Sequence, residues 1–336
     1  MKKSILLIAC VAFSMATTAK QRTFAEMRNI AVRLLDNNDI KRVKASSNTD
    51  KYNLKRLHVN TEFTVVGYDN AGFVVIANDD NIDPVLGFST STFDANNMPD
   101  GMKWWMNAME QSLAYGSNPE NHAIMKRAKK VDPLLKTQWG QGAPYNNFCP
   151  KDCPTGCVAT ALAQTFYARQ YPTTGEGEIF DADTFDFISY GSTTYDYANM
   201  LPTYEAGKYN QTQGDAVATL MYHIGRAISM NYAPGGSGTT LLMAMPGLKE
   251  HFRINKNVAT RYRMFHAEEW MDYIYDELDN QRPVVYCGAD KATGGHCFVV
   301  DGYNEQGLVH LDWGWDGVAN GWFDVNKLNP SAEGTD

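Results

Sequence analysis

A basic run, Lys126-Arg127-Ala128-Lys129-Lys130, divides this chain into two stretches of unlike chemistry, and that division constrains the fold more than any other feature. Residues 20 to 128 hold no cysteine and only His58 and His122 as histidines. Everything after the run is rich in glycine, tyrosine and tryptophan and carries Cys149, Cys153, Cys157, Cys287 and Cys297. A chain of 336 residues fits two folded units better than one. With 44% hydrophobic and 20% charged residues it supports a sizeable core and is not a disordered chain. A net charge of −8 argues against nucleic acid or an anionic membrane as the main partner.

The first residues read as an export leader: Lys2 and Lys3, an apolar stretch from Ile5 to Ala16, then small residues at Thr17-Thr18-Ala19. The stretch is too short to span a bilayer, which needs about 20 residues. Leu7-Ile8-Ala9-Cys10 also resembles a lipoprotein cleavage box, but the apolar run continues past Cys10, so lipid anchoring is the weaker reading. The expectation is a secreted protein, extracellular or periplasmic, with a signal peptide over 1–19 and no membrane insertion. Five cysteines then remain, an odd number that leaves at least one thiol free or paired outside the chain. Whether Cys149 and Cys153 pair is open at this level.

In the first unit, Phe24, Met27, Ile30 and Leu34 recur at helical spacing. Phe63-Thr64-Val65-Val66 and Phe73-Val74-Val75-Ile76-Ala77 flank the turn Asp69-Asn70-Ala71-Gly72 and predict a hairpin. Met102 to Leu113 predicts a second helix. The unit is a small α+β body without catalytic residues. The basic run is either a solvated surface segment or a processing site, and its place just ahead of the chemistry favours the second.

In the second unit, Gly156 precedes Cys157, and small helix-compatible residues follow until Pro172. That puts Cys157 at a helix N-terminus, where backbone N–H groups and the helix dipole favour a thiolate, more so beside an imidazolium. A lone cysteine is more often a buried structural residue, so the case rests on company. Gly294-Gly295-His296 opens an apolar β-run, with two glycines that leave room for a substrate backbone. Asn304-Glu305-Gln306-Gly307 is a plausible turn into Val309-His310-Leu311-Asp312-Trp313. Antiparallel pairing across it brings Asp312 near His296, where a carboxylate fixes the tautomer and stabilises the cation. Trp313 would shield the pair from water. Gln141, in Trp139-Gly140-Gln141-Gly142, supplies an amide that can hold an oxyanion together with the Cys157 N–H. Cys149-x3-Cys153-x3-Cys157 matches no common zinc spacing, so no metal is expected.

The order Gln, Cys, His, Asp in these surroundings resembles the streptopain family of papain-like bacterial cysteine peptidases, in its interpain-like form. The likeness extends through Pro133-Leu134-Leu135, Pro144-Tyr145-Asn146, Gly156-Cys157-Val158-Ala159-Thr160-Ala161, Leu201-Pro202-Thr203-Tyr204, Trp313-Gly314-Trp315 and Leu328-Asn329-Pro330-Ser331-Ala332. In the first unit it takes in Gly72-Phe73-Val74-Val75 and Leu86-Gly87-Phe88-Ser89-Thr90-Ser91. The resemblance implies an α+β protein, a papain-like catalytic domain over 131–336 preceded by an inhibitory propeptide over 20–130. It implies Cys157 as nucleophile, His296 as general base and acid, Gln141 as oxyanion donor and Trp313 beside the histidine. Residues Ala233 to Thr240, with Gly235 and Ser237, and the pair Gly294-Gly295 resemble the walls of the substrate cleft. Phe93-Asp94-Ala95-Asn96-Asn97 is expected near the active site of the uncleaved chain. No cofactor is implied; the partners are protein or peptide substrates and the chain's own propeptide.

Two departures stand out. The family carries asparagine where this chain has Asp312, and relatives continue past Gly334-Thr335-Asp336 with a glycine-rich loop and a final strand, so the C-terminal end reads as truncated. Two rival readings follow: a papain-fold acyltransferase of transglutaminase type, suggested by Asp312 alone, and a non-catalytic secreted binding protein that kept the fold.

Overall fold

The computed structural model describes residues 20–37, 53–115 and 126–328. The expected leader with Cys10, His122 and residues 329–336 lie outside the described residues.

The first unit opens with α1 (Phe24–Asn37), started by a capping box in which Thr23 and Glu26 exchange hydrogen bonds. Four strands follow: β1 (Lys55–Val59), β2 (Phe63–Gly67), β3 (Phe73–Ala77) and β4 (Val85–Ser89). The hairpin read from the sequence is β2–β3, paired from Phe63↔Ala77 to Gly67↔Phe73. Both strands are buried along their whole length because each face is covered. Val66, Val74, Ile76 and Phe88 pack under α1, whereas Val65, Val75 and Leu86 face the other way into the main core. That opposite face receives α2 (Asp100–Tyr115), which buries nine of its residues, Trp104 and Trp105 among them.

The second unit places α3 (Cys157–Arg169), the exposed hairpin β5 (Glu178–Asp181) and β6 (Asp186–Ser189), α4 (Gln211–Ala227) and α5 (Leu241–His251) ahead of α6 (Trp270–Asp279). Its sheet strands come last: β7 (Val284–Asp290), β8 (Gly294–Tyr303), β9 (Val309–Asp312) and β10 (Gly321–Phe323). The turn read at Asn304–Gly307 joins β8 to β9, with Tyr303 paired to Val309.

The two units are not separate bodies. Strand β10 pairs antiparallel with β4 on one side and β9 on the other, giving one eight-stranded sheet in the order β1-β2-β3-β4-β10-β9-β8-β7. One apolar core runs across the junction, joining Trp104, Trp105 and Met109 of α2 to Phe298, Trp313 and Phe323. Helices α2 and α6 lie on that face, and α1 and α3 on the opposite one. The basic run is exposed at Lys126, Lys129 and Lys130. Even so it is laid along the sheet margin: Arg127 N–H donates to the Glu305 carbonyl, its guanidinium lies 4.2 Å over the Tyr275 ring, and Val131 bridges Tyr303.

Candidate active site

Helix α3 begins at Cys157 because Gly156 holds a φ of 87°, a backbone state side chains avoid, and a Cβ there would press on Met230 and the Ser237 carbonyl. The Cys157 sulfur faces the backbone N–H groups of Cys297, Val158 and its own residue. Sequence reasoning expects such a thiol to be acidified, yet here burial pushes it up, with Asp100 of α2 adding to the effect against those donors. The charge that acts on the sulfur is a carboxylate of the first unit.

His296 explains why. It pairs with Gly288 across β7–β8, in step with the neighbouring pair Tyr286↔Phe298. Alternation along the strands therefore puts His296 on the face of Phe298 and α2, while Cys297 points to the face of α3 and Cys157. The imidazole Nε2–H donates to the Thr293 carbonyl at 2.7 Å within its own hairpin. The first unit holds that hairpin in place. A Cβ on Gly288 would run into the indole of Trp104, so that ring lies directly on the strand beside His296. Asn107 of α2 donates to Asp290 at 3.0 Å, and Asp290 also accepts from Ala292 N–H, Thr293 N–H and the Thr293 hydroxyl. Burial acts to raise the Asp290 pKa, but the donors from Thr293, Asn107 and Ala292 outweigh it and leave the carboxyl below its usual value. Asn107, Asp290 and Thr293 thus form a chain from the first unit to the histidine.

Trp313 lies on the His296 face, buried, 4.8 Å from Phe298 edge to face, with its Nε1–H on the Ala319 carbonyl. A Cβ on Gly101 would meet it at 3.0 Å, so the start of α2 seals it. The Phe93–Asn97 stretch and Met98 gather against Val318 and Ala319, in the loop that follows Trp313. Gln141 sits on the Cys157 side, its carbonyl accepting the Thr155 N–H at 3.1 Å, two residues before the cysteine.

Asp312 does not meet His296 in this structure. It pairs with Val299, three residues beyond the histidine, and an odd step along a strand reverses the face. Its carboxylate is fully buried and accepts from Gln164 Nε2 at 3.1 Å and Gly314 N–H at 2.9 Å. Gln164 Oε1 in turn accepts from the Thr137 hydroxyl and Trp139 N–H. Asp312 therefore braces, through Gln164, the extended segment that leads into Gln141. Gln164 escapes sequence reasoning, although a glutamine inside the small-residue face of α3 is a visible sign of a buried polar network.

The glycine loop opens beside the same cysteine. Gly235, Gly236 and Gly238 have free space where side chains would stand, and Ser237 is tucked in with its hydroxyl accepting from Ala233 N–H. Gly294, at a φ of 79°, is equally open, and Gly295 nearly so. Cys149, Cys153 and Cys157 are free thiols, and Cys287–Cys297 is a disulfide across paired strands, a link that only the β7–β8 register makes visible. Among the described residues no cluster of three or more His, Cys, Asp or Glu side chains is placed to hold a metal. No described helix is long and apolar enough to cross a membrane.

The Asp312 environment yields a pH prediction. Burial raises its pKa from an ordinary 3.8 to about 6, against the donors from Gln164 and Gly314, with Asp301 adding to the rise. The folded state thus holds the proton more tightly than the unfolded one. Stability gains as pH falls from about 6 toward 3.8, and the full penalty applies above pH 6. Asp312→Asn keeps an acceptor for Gln164 and Gly314 without the charge. In a Cys157→Ala background its gain over the parent is expected to grow from near zero at about pH 4 to at most about 3 kcal/mol at pH 8. Urea melts at both pH values check this; a gain that is equal at the two would disprove it.

The chain is similar to known proteins over most of its length. Residues 139–323 match the Peptidase C10 family and residues 19–113 match the Spi protease inhibitor family. Streptopain of Streptococcus pyogenes is 31% identical over 318 residues, covering 85% of this chain and 79% of its own. The thiol protease/hemagglutinin PrtT of Porphyromonas gingivalis is 32% identical over 293 residues, which cover 79% of this chain. This chain spans about a third of that relative, 34% of its length. Among solved structures, a prointerpain A fragment of Prevotella intermedia superposes with a TM-score of 0.74 at 36% identity, covering 83% of this chain and 93% of that one. Active interpain A of the same organism matches with a TM-score of 0.52 at 36% identity, over 63% and 95% of the two chains.

Proposed function

Since the chain belongs to the peptidase C10 family of cysteine proteases and carries the family's inhibitor-type domain at its N-terminal side, we propose that it is an exported endopeptidase zymogen that removes its own propeptide with Cys157 as nucleophile. The observation that carries this reading is the placement of Cys157 at the start of α3, one residue-face away from His296, with α2 of the first unit lying over the histidine.

In the uncleaved chain the pair is apart. Release of α2 frees the tip of the β7–β8 hairpin, where Gly294 and Gly295 have room to turn His296 toward the sulfur. His296 then takes the Cys157 proton, and the thiolate adds to the scissile carbonyl. Gln141 and the Cys157 N–H hold the oxyanion. The imidazolium protonates the departing amine, and the neutral imidazole activates water to free the acyl group. Gly235, Ser237, Gly294 and Gly295 border the strip where a substrate backbone would lie. The cut falls in the exposed run at 126–131, between the propeptide and catalytic parts. Asp312 lends no support to amide exchange over hydrolysis, because its carboxylate is spent on Gln164 and Gly314.

The test is to incubate purified, reduced full-length protein beside a Cys157→Ala variant and follow size, N-terminal sequence and hydrolysis of a peptide substrate. The parent is expected to shorten near 126–131 and gain activity, and the variant to do neither. Equal shortening of both would remove Cys157 from the role, and persistence of both at full length without labelling by a thiol-reactive peptide would favour a binding protein on this fold.

A further inference from the structure

The mechanism above leaves one feature beside the nucleophile unused. Cys287 and Cys297 face each other across β7 and β8, one pair along from Gly288↔His296, and are joined as a disulfide. Strand alternation turns both sulfurs to the α3 face, opposite to His296, and they pack in the same apolar cluster as Cys157, Val158 and Leu162. The Cys297 backbone N–H favours the Cys157 thiolate, and the two residues share one cluster, so one end of the disulfide lies beside the free thiol. A free thiol and a disulfide packed in one cluster can exchange once the thiol ionises.

We propose that the Cys287–Cys297 disulfide is a reversible covalent partner for Cys157, capping the nucleophile by internal thiol–disulfide exchange. This rests on Cys157 being the nucleophile. The Cys157 thiolate attacks the Cys297 sulfur, the Cys157–Cys297 bond forms as the Cys287–Cys297 bond breaks, and Cys287 leaves as a thiolate that takes up the proton Cys157 gave up. One disulfide is lost and one is made, so no oxidant or reductant is consumed. Attack by Cys287 on the capped pair reverses the step, and a small thiol reductant ends it by reducing the new bond. The capped enzyme cannot form an acyl intermediate. It also cannot be carried up the oxidation ladder to sulfinic acid, a hazard for an exposed thiolate. Burial of Cys157 in the uncleaved chain keeps its thiolate scarce, so exchange is slow there and quickens once the first unit leaves.

The experiment maps bonds instead of activity, which keeps it separate from the Cys157→Ala assay that tests the nucleophile itself. Full-length and self-processed protein are held without reductant at about pH 8.5, where thiolate is plentiful. They are then quenched in acid, alkylated and digested without reduction. A Cys157–Cys297 peptide pair together with alkylated Cys287 is the expected result, more abundant in the processed form. A Cys287→Ser variant, treated with oxidised glutathione, is expected to trap Cys157–Cys297 completely, with loss of peptide hydrolysis that dithiothreitol restores. If only Cys287–Cys297 is found in the parent, and Cys157 remains fully alkylated throughout, the pair is a structural staple and the proposal is wrong. The parent mapping decides the matter alone if the variant does not fold.

Discussion

His296→Ala is expected to lower kcat/KM of the processed enzyme by about 10² to 10⁴, the usual contribution of one positioned acid and base. Folding of the uncleaved chain should hardly change. Among the described residues the imidazole's hydrogen bond goes to the Thr293 carbonyl of its own turn, and losing it costs about 0.5–1.5 kcal/mol. Activity and stability thus separate at this residue, and they separate because of the face it occupies. In the uncleaved chain it lies beside Trp104 and the Asn107–Asp290 contact. The check is steady-state hydrolysis across pH on protein processed in trans, together with urea unfolding of the full chain. A kcat/KM within a few-fold of the parent would pass the role to another base. His310 is the imidazole with a ready carboxylate, its Nδ1 2.6 Å from Asp301, but that ring is packed against Trp322, toward the α1 end of the sheet.

Trp105→Ala is expected to destabilise the uncleaved chain by about 3–5 kcal/mol, the range for removing a fully buried large aromatic. Trp105 is wholly enclosed, its Nε1–H donates to the Asp324 carbonyl at 2.8 Å, and its ring meets Phe323 edge to face at 5.0 Å. Both partners belong to β10 and the residues after it, so the indole fastens α2 to the catalytic part just where the two units share a sheet. Since about 1.4 kcal/mol is tenfold in an equilibrium, the undocked state should rise by about 10² or more. Activation of a chain with Cys157 intact should quicken accordingly. The processed enzyme, which has lost Trp105, is the natural control. Urea melts in a Cys157→Ala background measure the first effect and the rate of shortening the second. A loss under about 1 kcal/mol with unchanged activation would mean that α2 is not the clasp.

Both predictions depend on things a linear reading reaches unequally. Local periodicity made α1, the β2–β3 hairpin, α2 and the β8–β9 turn legible, since helix and strand spacing and turn residues are short-range signals. The start of α3 at Cys157 was legible for the same reason, because glycine before it and proline after Tyr171 bound a helix. The family likeness pointed to a cysteine protease with an inhibitory N-terminal part. What linear order could not supply was the face on which each side chain stands. The hairpin pairs the Asp312 strand with the His296 strand, but Asp312 stands opposite Val299, an odd offset that sends the two side chains to opposite sides of the sheet. The Cys287–Cys297 bond depends on the same register. The merging of the two units hangs on β10, three residues long and too short to carry a periodic signal, which finds its place only because β4 and β9 each leave an edge for it. Residue types and short-range order thus pointed to the groups and the local elements, while long-range strand pairing, which costs loop-closure entropy and is repaid only by the assembled core, decided on which face of the sheet each group stands.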